Sequence, residues 1–425
     1  VSISFPAYFS ISYFYGLLRC IPENPTQYQR TLKKVQLKIL VNIQVENRPK
    51  LVVLDANFSW TRNLFSSLAH VADILLLYPK DFRAFKKEYG SHFIDWKPVL
   101  VSPGIWQQRI CLPPGWLFNY WPLTEIFLAG LIKRFTGNKP CMLVFVYPYY
   151  AGLSRKLSAS SVYYNMDEYK HYWPGRERST EKVELQAVQT ADLTLCTAWY
   201  RAQQLIKKLP EEAHKIIHIP HGASEQFIAS EVLNRPLPVS DRYHRPVVGY
   251  IGALNFRFDF HYLYEVALSM PEVTFLLGGK MPTPAEGDEY WFNGYRKIKE
   301  LSNVYFIGFI PNKDISNLIS SFDALILPYA RCDFNLNACP MKLWDYMGTS
   351  VPMVANDVVP EINLWSEVIQ IASDAKSFSN KLRFAIDNRL WKAEERINIA
   401  RQNTWRMQAD KLLTAWQSKM KEKSI

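Results

Sequence analysis

The run from Asn335 to Gly348, NLNACPMKLWDYMG, holds side chains whose types and spacing suit the binding of a nucleoside diphosphate. Pro340 favours the first turn of a helix, and the free amides of a helix N-terminus attract anions. Lys342 then falls in that first turn, where a cation is disfavoured unless an anion lies beside it. Asp345, three residues on, shares its helical face, and a carboxylate there can accept two hydroxyl hydrogen bonds from a ribose. Tyr329, Cys339 and Met341 line the approach to the same turn. The competing reading is a capped surface helix that merely carries a lysine and an aspartate.

Three further groups complete the set. In Gly249-Tyr250-Ile251-Gly252-Ala253-Leu254-Asn255, Gly252 stands past the carboxyl end of a strand, where backbone amides can approach a diphosphate closely. A simple tight turn is the alternative. Arg257 follows as a counter-charge for phosphate, with a surface ion pair as its competing role. In Tyr163–Tyr169, YYNMDEY, Asp167 and Glu168 are expected on the cleft side of a strand end. An aspartate at Asp167 can offer a polar contact to the cleft or cap a helix N-terminus. His221, beside Gly222, is either a site residue or a satisfied structural histidine. The aromatic loops Asn57–Trp60 and Tyr147–Tyr150 either line an acceptor channel or are plain packing.

No D-x-D occurs in the chain. Metal-dependent transfer from a diphosphate commonly uses such paired carboxylates, so its absence favours charge neutralisation by Arg257, Lys342 and helix amides. Neither a metal nor a cofactor other than the donor substrate is expected.

Positioning these residues requires strands that end together. Lys50–Leu54 and Asp73–Tyr78 read as buried strands joined by a loop and helix, the repeating unit of a parallel sheet. Met142–Tyr147, Ser161–Tyr164, Asp192–Cys196 and Ile216–Ile219 continue the series, with a helix over Thr180–Gln189. A second series runs through Val247–Ile251, Val273–Leu277, Val304–Ile307, Ala324–Leu327 and Pro352–Ala355. Its helices are read from near Phe260 and at Lys313–Ser321, Met341–Met347 and Ala375–Asn388. The fold expected is α/β, with two Rossmann-like, doubly wound parallel-sheet domains and an interdomain cleft as the site. The domains are read as 49–221 and 222–403, joined at Ile219-Pro220-His221-Gly222. A terminal helix within 404–425 is read over Thr404–Lys419, which the resemblance given below implies packs back on the first domain, and 1–48 is read as an N-terminal extension.

Charge divides unevenly between the halves. Residues 1–222 hold 27 Lys and Arg against 16 Asp and Glu, whereas residues 223–425 hold 23 of each. A basic first half suits an anionic partner such as phospholipid headgroups or a lipid diphosphate; solubility is the plainer reading. Nucleic acid is not expected, because no zinc spacing, RNP-like motif or basic helix run is present. The first 18 residues are uncharged but include four Ser, Pro6 and Gly16, a poor span, and no basic run precedes them as in a signal peptide. The six cysteines form no C-x-x-C pair, which points away from a disulfide or metal framework and towards a reducing cytoplasm.

The segment NACPMKLWDYMGTSVPMVAND resembles the donor-binding segment of retaining GT-B glycosyltransferases of family 4. In that family two glutamates stand eight positions apart, followed by a small-residue turn and a strand. Asn337 falls at the first acidic position and Asp345 at the second, and GTSVPMV matches the turn and strand. HIPHGASEQF resembles the interdomain segment, and VGYIGALNFRFDF the first strand and loop of the donor domain. There Asn255, Arg257 and Asp259 replace the usual basic pair. VYFIGFIPNKDI resembles the strand whose following backbone contacts the base, and TWRMQADKLL the closing helix. The C-P-x-K variant resembles bacterial transferases of teichuronic acid and exopolysaccharide synthesis.

The resemblance covers about residues 50–420 and implies transfer of a sugar from a UDP- or GDP-sugar to a glycan or lipid-linked acceptor. Retention of configuration is implied, with Asn337 and Asp167 at the sugar. Gly252, Asn255, Arg257, Tyr329, Cys339, Pro340, Met341, Lys342, Asp345 and His221 are the expected substrate-binding residues. An inverting transferase, a sugar-nucleotide epimerase and a catalytically silent binding protein remain open, the last because Asn337 is an amide. The expected place is the cytoplasm, peripherally on the inner face of the plasma membrane.

Overall fold

Short runs such as LVVL, ILLL and MLVF are apolar on both faces, as strands of a parallel sheet covered by helices on each side must be. In the computed structural model, which describes residues 48–423 except 91–94, 120, 158, 233–239 and 241, these runs build two sheets. The expected extension 1–48 lies, but for Arg48, outside the described residues.

The first sheet comprises β1 (Lys50–Leu54), β2 (Asp73–Asp81), β3 (Val99–Ser102), β4 (Ile105–Leu112), β5 (Cys141–Phe145), β6 (Ser160–Asn165), β7 (Leu193–Cys196) and β8 (Ile216–His218). Their order is β3-β4-β2-β1-β5-β6-β7-β8, parallel throughout except where β3 pairs antiparallel to β4. The second holds β9 (Val247–Ile251), β10 (Thr274–Gly278), β11 (Val304–Gly308), β12 (Ala324–Leu327), β13 (Met353–Asn356) and β14 (Gln370–Ala372). Its order, β11-β10-β9-β12-β13-β14, is wholly parallel and reverses direction at β9 and β12. Such a reversal opens a crevice at the carboxyl ends of the two strands.

The helices that bear on the site are α1 (Ser59–Ser66), α2 (Trp121–Thr136), α3 (Trp199–Lys208), α4 (Phe260–Leu268), α5 (Asp333–Leu336), α6 (Met341–Met347), α7 (Pro360–Asn363) and α8 (Trp405–Lys423). Each sheet has its own buried core. Trp405, Ala409 and Leu412 of α8 belong to the core of the first sheet, so the end of the chain returns to the domain where it began. The return passes beside the crossover at Gly222, where a Cβ would lie 2.5 Å from the Trp405 nitrogen. Ala223 N donates to Asn403 O at 2.8 Å, holding the two crossing segments side by side.

Most of the elements read from sequence fall within two or three residues of those observed; β3, β4, β14, α2, α5 and α7 are among those that had no counterpart in the reading. β4 carries Gln107, Gln108 and Arg109 in its middle, which breaks any apolar pattern. Two of them are tied to Asp95: Arg109 makes a paired contact with its carboxylate, Nε to Oδ2 at 2.9 Å and Nη2 to Oδ1 at 2.8 Å. Gln108 Nε2 donates to Asp95 O at 2.8 Å. Gly249 falls inside the strand read over Val247–Ile251. It lies within β9, and a Cβ there would stand 1.9 Å from the Phe322 ring, so its small size serves packing and not a phosphate.

Candidate functional site

At the carboxyl end of β9 the chain turns at Gly252, whose N–H donates to Gly278 O at 2.8 Å. A Cβ on Gly252 would stand 1.8 Å from Lys342 Cε and 2.2 Å from Nζ, so the absence of a side chain is what admits the lysine. Helix α6 is fixed against this strand end by Tyr346, whose hydroxyl accepts from Ile251 N at 2.8 Å and donates to Ile251 O at 3.3 Å. Lys342, one turn before Tyr346, is thereby laid over the Gly252 turn, with its ammonium 5.3 Å from the Tyr250 ring centre.

Asp345 faces Lys342 on α6. Its carboxylate takes hydrogen bonds from the backbone and hydroxyl of Ser224, while Oδ1 is buried without a partner. Burial pushes Asp345 up to about 7, opposed by Ser224 and the nearby ammonium. Burial brings Lys342 down to about 8, with Asp345 resisting and Arg257 adding to the fall. Both side chains keep some surface on the cleft.

These residues border a cavity of about 480 Å³. From the second domain it is lined by Gly252, Gly279, Lys280, Phe309, Met341, Lys342 and Asp345, and from α1 of the first by Ser59 and Asn63. Lys280 adds a second cation, paired to Glu286 at 2.9 Å and otherwise exposed. The helix contribution is smaller than the sequence suggests. α6 has only seven residues, and Pro340 stands at its N-cap without a side-chain hydrogen bond.

A second cluster spans the two domains. Asn337 Nδ2 donates to Glu168 Oε2 at 2.9 Å and to Asp333 O at 2.9 Å. Glu168 also meets Lys170 Nζ at 2.8 Å and Arg201 Nη1 at 3.6 Å, while His171 lies 3.3 Å from Asp333. Among the described residues, Glu168, His171 and Asp333 are the group whose ligand atoms come close enough for a shared metal ion. The Lys170 ammonium already touches Glu168 and lies 3.7 Å from Asp333, which makes this an ion-pair network and a poor cation cradle. Beside it, Arg257 is held by Asn335, Nε to Oδ1 at 3.0 Å, and its positive charge is felt by Asp167, His221 and Lys342.

The other expected residues fall in different places. Asp167 accepts from Tyr172 OH at 2.9 Å and from Glu168 N at 3.1 Å; burial raises its pKa, opposed chiefly by Arg257. Asn255 Oδ1 accepts from Arg257 N at 3.1 Å, shaping the turn, and borders a separate shallow cavity. Asp259 caps α4 through Tyr262 N at 2.9 Å. Tyr329 is buried, its backbone clamped by the Asn356 amide, and Cys339 is buried against His221 N at 3.4 Å. Neither borders the main cavity, because the loop between β12 and α6 turns both side chains into packed surroundings. His221 lies between Trp60 and Trp405, and burial lowers it to about 3, which leaves a neutral ring.

Glu168, Ser224 and Lys280 were not among the residues selected from sequence. Glu168 was in view beside Asp167, and only the partner it meets across the cleft separates the two. Ser224 lies two residues after the Pro-His-Gly crossover, and Lys280 directly after Gly278-Gly279.

Residues 245–388 match the family of glycosyl transferases group 1. TuaH of Bacillus subtilis (strain 168), named as a teichuronic acid biosynthesis glycosyltransferase, is 23% identical over 262 residues. That match covers 57% of this chain and 64% of TuaH, so the chain spans somewhat under two thirds of that relative's length. Among solved structures, the sucrose-phosphate synthase of Thermosynechococcus elongatus superposes with a TM-score of 0.64 at 16% identity, over 88% of this chain and 99% of that one. Anabaena HepE in complex with UDP gives a TM-score of 0.64 at 13% identity, over 87% and 100%. The chain thus has the GT-B fold of two parallel-sheet domains, and its residues 245–388 match the glycosyl transferases group 1 family.

Proposed function

We propose that this chain is a glycosyltransferase that moves a sugar from a nucleoside-diphosphate sugar to a glycan or lipid-linked acceptor in cell-surface polysaccharide synthesis. The observation that carries this reading is Lys342 laid over Gly252 with Asp345 on the same short helix: an ammonium within the electrostatic reach of a carboxylate that has one buried, unpartnered oxygen. The carboxylate suits ribose hydroxyls and the ammonium suits diphosphate. In the reaction the bond from the anomeric carbon to the diphosphate oxygen breaks, an acceptor hydroxyl oxygen forms the new bond, and the hydroxyl proton passes to the departing diphosphate. Lys342, with Arg257 alongside, stabilises the charge that grows on the departing diphosphate, so the transfer is metal-independent. Retention of configuration follows from the family resemblance. The names of HepE's ligand, UDP, and of TuaH's pathway support a nucleotide-sugar donor and a surface polysaccharide.

The acceptor side is the first domain, and its surface suits an anionic membrane carrying a lipid-linked acceptor. Leu123, Ile126 and Phe127 of α2 are exposed at 69%, 59% and 46%, and Lys133 and Arg134 follow in its last turn. No described helix is long and apolar enough to cross a membrane, which leaves an interfacial contact as the mode proposed.

A thermal-shift panel of UDP-, GDP-, dTDP- and ADP-sugars tests the donor. At least one raises the melting temperature of the wild type, and Asp345→Ala loses that shift while melting normally without ligand. No shift with any nucleotide sugar overturns the reading.

A further inference from the structure

In the first domain α2 packs beside the helix Ala151–Leu157, and that helix packs beside the helix Glu177–Thr190, so the three stand in a row. Gly152 sets the first spacing, since a Cβ there would lie 2.9 Å from Glu125 Oε1 of α2. Between the second and third helices is a cavity of about 340 Å³, bordered among others by Tyr149, Gly152, Arg155, Gln186, Gln189 and Thr190. It shares no residue with the cavity at Lys342.

The side chains of Arg155, Gln186, Gln189 and Thr190 have no hydrogen-bond or ion-pair partner among the described residues. Lys182 and Arg178, one and two turns before Gln186, add exposed cations along the same side of the helix. The acids of these helices are engaged elsewhere: Glu125 with Lys156 at 3.0 Å, Glu181 with Lys208, Glu184 with Arg201, and Glu177 with Gly175 N at 2.8 Å. No carboxylate borders the cavity. A guanidinium flanked by amide and hydroxyl donors, with no acid in the wall, is a donor set for a phosphate ester. The neighbouring helix says where that ester comes from. α2 presents Leu123, Ile126 and Phe127 to solvent, and Glu125, which meets Gly152, stands among them. An apolar stripe one helix away from a cationic hollow fits a bilayer surface, the stripe meeting acyl chains and the hollow a headgroup.

We propose that the cavity between the helices Ala151–Leu157 and Glu177–Thr190 holds the phosphate headgroup of an anionic lipid. Arg155 meets the phosphate, and Gln186 and Gln189 donate to headgroup oxygens. The site rests on the membrane contact read for the first domain and deepens it: attachment depends on headgroup hydrogen bonds as well as on charge.

Co-sedimentation with phosphatidylcholine vesicles, with and without phosphatidylglycerol, tests the site in wild type, R155Q, Q186A/Q189A and K133Q, with melting temperatures as the check on folding. K133Q removes one charge from the same row of helices, outside the cavity, and lowers affinity about fivefold at most. R155Q lowers it about tenfold or more, and Q186A/Q189A, which alters no charge, about fivefold or more. Wild-type binding by Q186A/Q189A, or equal losses in R155Q and K133Q, overturns the headgroup site. Free glycerol phosphate, measured by calorimetry without lipid, binds about tenfold or more weakly than the vesicles. Equal affinity would make the cavity a site for a soluble phosphate ester and overturn the lipid assignment. A wild type that ignores phosphatidylglycerol overturns the membrane contact itself. Nucleotide-sugar thermal shifts stay as in wild type throughout, so a failure of the donor reading shows separately.

Discussion

Lys342 sits where its stem fills the space of a missing Cβ on Gly252, and burial together with Arg257 makes its proton easier to lose. With its pKa near 8, the ammonium is largely charged at neutral pH and neutral above about pH 9. An anion gains from the charged form, so diphosphate affinity falls as pH rises through 8, by about tenfold for each unit beyond it. Calorimetry with the free diphosphate between pH 7 and 9.5 measures the slope. Lys342→Met binds more weakly and loses the pH dependence in that range; a wild type with constant affinity there would assign the charge to another group. The type of residue was legible here from sequence, since a lysine in the first turn of a helix asks for an anion. Its dependence on Gly252 was not, because the two are ninety positions apart and meet only when α6 lies over the end of β9.

At the scale of elements, two pieces tie the domains. Glu361 at the start of α7 is buried at 1% and accepts from Trp199 N at 2.7 Å and pairs with His218 at 3.1 Å, so the second domain caps the start of α3. α8 closes the other side, with Trp405 packed against His221 and into the first core. Trp405→Ala removes a buried indole at the point where the crossovers touch and costs about 3–5 kcal/mol. Urea unfolding shows this as a lower midpoint for the first domain. A change under 1 kcal/mol would mean that α8 is held by its later turns instead. The helix itself was readable from the spacing of Trp405, Leu412, Leu413 and Trp416. Its docking on the first domain was expected only through the resemblance of TWRMQADKLL to a closing helix, since an apolar face shows that it is covered without showing by what.

For the whole molecule, the excess of positive charge in the first half gains a location. The exposed apolar stripe Leu123, Ile126 and Phe127 runs along α2 and is followed by Lys133 and Arg134. The membrane contact proposed for this stripe predicts that vesicles containing anionic lipid bind the protein and that raised salt weakens the attachment. Ile126→Glu with Phe127→Glu reduces vesicle binding about tenfold or more, as expected for replacing two inserting side chains by charges, and leaves nucleotide-sugar affinity unchanged. Equal binding of that variant to vesicles would move the contact elsewhere on the basic half.

The alternation of apolar runs with helix-forming stretches determined two doubly wound domains, because a parallel strand buried on both faces must be apolar along its length. The same local logic picked out Lys342, Asp345 and Gly252. What the tertiary structure decided is which residues act together. Glu168 and Asn337 lie 169 positions apart, and neither carries a local sign of the other. Asn337 read alone is a missing acid; beside Glu168 it is an amide that donates to a neighbouring carboxylate. Residue type and local period are written in the order of the chain. The pairing of charges across a cleft depends on how two sheets face each other, which no local pattern encodes.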